Sequence, residues 1–141
     1  MAETAGKAGA KARPQFRNIH VSQIRQYRLP LAGVVSILHR VSGALMFLVG
    51  LPFMLYLFQQ SITSEISFET YQSLVSHWFV KLVILGVIWG YLHHFCAGVR
   101  YLILDLHVGV EKDAARKSAS AVLVVSLGLT VVVALKIFGV F

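Results

Sequence analysis

Three apolar runs, at about residues 31–58, 78–104 and 119–140, constrain this chain more than anything else in it. A bilayer's hydrocarbon core is crossed by about 20 residues at 1.5 Å each. Within it every backbone N–H and C=O needs a partner from the chain, which a helix supplies by itself. The chain therefore reads as an all-α membrane protein with three transmembrane helices. Composition agrees, with 57% hydrophobic and 13% charged residues. The formal charge of +7 would suit a nucleic-acid binder, but Lys7, Lys11, Arg13, Arg17, Arg25 and Arg28 all precede the first run. That crowding is a topology signal rather than a groove for phosphates, and no nucleic-acid partner is expected.

The connection from about Gln59 to His77 holds Glu65 and Glu69 and no Lys or Arg, so it belongs on the translocated side. Positive charge returns after the second run with Lys112, Arg116 and Lys117. The N-terminus is then cytoplasmic and the C-terminus lies on the opposite side. Residues 1–13, rich in Ala, Gly and Lys, read as a mobile tail. Residues 14–30 read as a cytoplasmic interfacial segment ending at Pro30, and residues 31–141 as the three-helix membrane domain. Met1 to Arg28 lacks the central apolar region of a cleavable signal peptide. Pro52 removes a backbone donor near the far end of the first helix and is a candidate kink. The lone cysteine, Cys96, reads as a small core hydrophobe. No internal repeat supports a transporter core.

Two polar insertions break the apolar runs. On the first helix Ser36, His39, Arg40 and Gly43 follow one face. On the second, His94, Gly98 and Tyr101 do the same, while His93 points about 100° away on a line with Arg100. Counted from the cytoplasmic ends, His39 lies ~12 Å deep and His94 ~15 Å deep at 1.5 Å per residue, in one layer of the membrane. Ionisable groups at such depth are costly and default to function.

A haem needs an axial imidazole, cations for its propionates and a small residue that makes room for the macrocycle. His94 with Gly98 meets the first and last needs, and His39, Arg40 and Arg100 the second. A quinone headgroup needs donors for its carbonyls, which Ser36 and Arg40 supply on one face. The plain alternatives are that His94 and His39 only hydrogen-bond between helices, that Ser36 bonds its own helix, that Arg100 snorkels and that His93 bonds a neighbouring helix or faces the surface. Residues alone also permit His39 and His94 to ligate one iron within this chain.

Ser36-Ile37-Leu38-His39-Arg40-Val41-Ser42-Gly43, preceded by Arg13-Pro14 and Tyr27-Arg28-Leu29-Pro30, resembles the N-terminal signature of the cytochrome b subunit of succinate dehydrogenase, the larger membrane anchor of respiratory complex II. His94-Phe95-Cys96-Ala97-Gly98-Val99-Arg100, with Asp105 following, is similar to that family's second signature. The resemblance implies a bacterial inner-membrane subunit, not catalytic on its own, in a complex with a flavoprotein, an iron-sulfur protein and a second small anchor. It implies that His94 is one axial ligand of haem b, with the other on the second anchor. His39 and Arg100 would lie near the propionates, Ser36 and Arg40 would line the ubiquinone pocket, and Asp105 would assist protons. Where the family continues Gly-x-Arg with His, this chain has Tyr101, which can donate a hydrogen bond but carries no positive charge. An anchor of quinol:fumarate reductase uses the same parts in reverse, and a purely structural anchor is the reading if His94 only packs.

Overall fold

The computed structural model describes residues 20–140, with only the backbone of Ile24 and Arg25. The expected tail at 1–13 and the start of the interfacial segment lie outside the described residues. Six α-helices follow in order: α1 Val21–Gln26, α2 Leu31–Leu45, α3 Leu51–Ile62, α4 Glu65–Ser76, α5 Trp78–Asp105 and α6 Lys112–Ile137. Among the described residues there is no strand. The π turn Met46–Gly50 joins α2 to α3, so Leu31–Ile62 forms one membrane-length helix alongside α5 and α6.

The π turn has a local cause. Pro52 has no N–H to return to the carbonyl one turn back, and its ring crowds that carbonyl. The backbone widens instead, with the Leu51 N–H bonding the Met46 carbonyl five residues earlier. The proline is thus absorbed by a widened turn within a continuous helix.

Two boundaries differ from the sequence reading. The connection after the first span contains a helix, α4, capped by Ser64 and Ser67, whose hydroxyls each accept from the other's backbone N–H. It mixes Ile66, Phe68 and Tyr71 with Glu69 and Gln72, so hydropathy alone does not mark it. Likewise α6 begins at Lys112, not near 119, because its first turns carry Asp113, Arg116 and Lys117. Hydropathy finds where a helix enters apolar surroundings, not where its hydrogen bonds begin.

The α5–α6 turn closes with His107 at φ 60 and the Val108 N–H returning to the Ile103 carbonyl, followed by Gly109 at φ 72. This sharp turn sets α5 and α6 antiparallel, and α2 packs on both. At the other end, Lys81 Nζ lies 5.9 Å from the Phe138 ring. Val35, Ala97, Ala119 and Val122 form the buried centre, where two alanines let the helices approach closely. Many other large apolar side chains along the three spans are exposed on the outside of the bundle.

Candidate functional site

The α2–α5 crossing brings the two polar insertions face to face. The His39 and His94 rings stack with centroids 4.0 Å apart and planes 16° from parallel. His94 Nδ1 lies 2.9 Å from the His39 backbone carbonyl and 3.3 Å from Ser42 Oγ, which itself donates to that carbonyl at 3.0 Å. A carbonyl only accepts, so Nδ1 carries the proton. The lone pair of His94 is therefore on Nε2, the form in which an imidazole binds iron.

Close packing holds the ring in place. A Cβ at Gly43 would come 2.8 Å from His94 Cε1, so only glycine accommodates this approach. Gly98, which the sequence reading paired with His94 as the roomy position, faces His39 instead. A Cβ there would meet His39 Nε2 at 3.7 Å, an ordinary contact. The glycine on which His94 depends is on the opposite helix. Tyr101 completes the cluster, its ring 5.2 Å from His39. The shared face of His94, Gly98 and Tyr101 thus meets α2, as their spacing indicates.

His94 also lines an open apolar groove of about 570 Å³ with Gly43, Met46, Gly50, Val87 and Tyr91. Gly43 and Gly50 are among its lining residues, but the space over Gly43 is taken by the His94 ring itself and that over Gly50 is bounded by Val87. A protonated Nδ1 held by the α2 carbonyl, an Nε2 without a partner among the described residues and an apolar groove bordered by this ring fit a haem. The stacked geometry excludes a haem ligated by His39 and His94 together: their faces, not their in-plane lone pairs, are opposed, and no macrocycle fits between rings 4.0 Å apart. Among the described residues, no three His, Cys, Asp or Glu side chains converge as a metal site.

The remaining sequence candidates divide. Arg40 is exposed and Ser36 half-buried, both on the His39 helix. Asp105 is exposed at the end of α5. Arg100 is buried on the other side of α5, where Nε donates to Ser118 Oγ at 2.9 Å and Nη2 to the Ala115 carbonyl at 3.3 Å. It lines none of the His94 groove. His93, expected to bond a neighbour or face the surface, is wholly buried, stacked 5.6 Å from Trp89 and beside the Val35 backbone of α2, with neither ring nitrogen in a hydrogen bond of good geometry among the described residues.

Sequence reasoning missed Ser42 and Ser118. Ser42 stands three residues after His39, on its face, so helical phase could have found it. Nothing in the local sequence singles out Ser118.

Fold and site together define a multi-pass helical membrane protein with a half-buried histidine pair stacked between two of its spans. Residues 11–133 match the succinate dehydrogenase/fumarate reductase transmembrane subunit family, and the chain belongs to it. It is similar to the succinate dehydrogenase cytochrome b556 subunit of Paracoccus denitrificans, with 30% identity over 115 residues, 82% of this chain and 88% of the relative. The subunit of the same description from Coxiella burnetii is 34% identical over 104 residues, 73% of this chain and 82% of that one. The one from Rickettsia felis is 30% identical over 105 residues, 74% and 80% respectively.

Proposed function

We propose that this chain is the cytochrome b anchor of a bacterial succinate:quinone oxidoreductase, holding part of a haem b site and part of a ubiquinone site in the inner membrane. The observation that carries the reading is His94, whose Nδ1–H is tied to the His39 carbonyl while its ring lines an apolar groove. The names of the relatives, cytochrome b556 subunits of succinate dehydrogenase, support it independently. When bound, haem supplies a one-electron carrier inside the membrane.

Each residue then has a task. His94 would ligate iron, oriented by the His39 carbonyl together with Ser42. A second small anchor subunit would supply the other iron ligand, a division of the site that the stacking of His39 on His94 supports. His39 and Arg40 offer donors to the propionates. Ser36 and Arg40, one turn apart, offer hydrogen bonds to a quinone carbonyl. A flavoprotein and an iron-sulfur protein complete the complex on the cytoplasmic face, the side that the charge distribution of the sequence marks, and the C-terminus is on the far side.

The test is purification of the complex with its partners, followed by a dithionite-reduced spectrum. Haem b bands in the wild type and none in His94→Ala are expected. A wild-type complex without such bands, or a His94→Ala complex that keeps them, overturns the assignment.

A further inference from the structure

A second groove, unrelated to the histidine pair, runs between α5 and α6. It has a volume of about 470 Å³, and its walls are apolar, among them Phe95, Val99, Ile103 and Val125. It shares no lining residue with the His94 groove. The charged group in its lining is Arg100, 6% exposed, and the lining contains no Asp or Glu. The guanidinium's hydrogen bonds to described residues are to Ser118 Oγ and the Ala115 carbonyl, and its carbon lies 5.4 Å from the Tyr101 ring centroid, all of them neutral partners. The hydrogen bonds occupy two of its five N–H groups.

A guanidinium withdrawn from water without a counter-charge is costly, which favours an anion beside it. Three features specify which anion. Arg100 lies about 7.5 Å from the α5 end at Asp105, counting 1.5 Å per residue, the depth of a headgroup region rather than of the bilayer centre. Lys112, Arg116 and Lys117 stand on the first turns of α6 at that same end. Below the guanidinium the groove follows α5 up to Phe95, about 7.5 Å farther from that end by the same rise, between walls that suit an acyl chain. A free anion satisfies the charge but leaves the apolar walls uncovered, and a neutral quinone does the reverse.

We propose that the α5–α6 groove binds an anionic phospholipid, its phosphate accepting from Arg100 and an acyl chain lying along Val99, Ile103 and Val125. Phosphate accepts from a guanidinium through two parallel N–H groups, which a zwitterionic lipid repays less well because its own ammonium competes. The site is independent of the haem and quinone reading, and its test is read without either.

The protein, purified in detergent with whatever subunits accompany it and then delipidated, is titrated with phosphatidylglycerol, phosphatidylcholine or inorganic phosphate. Thermal stability is followed, and retained lipid is read by native mass spectrometry. Phosphatidylglycerol is expected to bind about tenfold or more tighter than phosphatidylcholine, with one retained copy per chain. That preference is lost in Arg100→Gln. Because Arg100→Gln also loosens the α5–α6 contact, Ala121→Phe provides a second variant: it fills the groove from an exposed position and leaves the guanidinium in place. It is expected to lower phosphatidylglycerol retention at least tenfold with the unliganded melting temperature unchanged. Equal response to both lipids, or equal response to inorganic phosphate, overturns the proposal. So does Arg100→Gln binding phosphatidylglycerol as well as wild type, an outcome that would assign the guanidinium to another subunit's carboxylate or to a propionate.

Discussion

His94 donates its Nδ1–H to the backbone carbonyl of His39, 2.9 Å away on the facing helix. Since the acceptor is main chain, it survives any substitution of the His39 side chain. His39→Ala should therefore retain haem, with a shifted band position or potential from the lost stacking, whereas His94→Ala should lose it altogether. Reduced-minus-oxidised spectra of the two purified variants check this, and a haem-free His39→Ala would make His39 a ligand after all.

The two glycines should behave oppositely. Gly43→Ala brings a methyl to 2.8 Å from His94 Cε1 and must displace the ring or separate the helices. Overpacking of this kind costs about 1–3 kcal/mol, and haem occupancy should fall with it. Gly98→Ala meets His39 at 3.7 Å and gains about 0.8–1.0 kcal/mol of helix propensity, so its haem content should match wild type. Haem-to-protein ratios and melting temperatures measured side by side decide the matter.

Replacing His93 by Leu removes two buried nitrogens that have no partner among the described residues, at similar side-chain size. Removal of an unsatisfied buried polar group is neutral to stabilising by about 1–3 kcal/mol. His93→Leu should keep its haem and melt at or above the wild-type temperature. A lower melting point would assign His93 a bond made only in the assembled complex.

Ser118 is the nearest partner of the buried Arg100 guanidinium, at 2.9 Å. Ser118→Ala leaves a charged donor short of an acceptor and should destabilise the protein by about 1–3 kcal/mol without altering the haem spectrum. Melting curves and spectra on one preparation separate this from a role at the haem.

Arg40 is exposed in this chain, so Arg40→Ala should shift stability by no more than about 0.5 kcal/mol. Quinone reduction should nonetheless fall, while succinate oxidation with an artificial acceptor stays near wild type. Loss of both activities together would indicate failed assembly instead.

The sequence by itself determined the three spans and the facing of their polar residues. Bilayer thickness and the obligation to bond every backbone group leave an apolar run of this length one solution, and helical periodicity then orders side chains around each axis. His94, Gly98 and Tyr101 turn to the same side for that reason, and all three meet α2. Periodicity gives a direction but does not say what stands there. Only the tertiary structure decided that His94 rests on Gly43 and not beside a vacancy at Gly98, that His39 stacks on His94 and so cannot share its iron, and that Arg100 turns to α6. It also decided that His93, one residue from the ligand candidate, is wholly buried against Trp89. Those outcomes depend on how three helices rotate and slide against one another, which small residues such as Ala97 and Ala119 govern at the bundle centre.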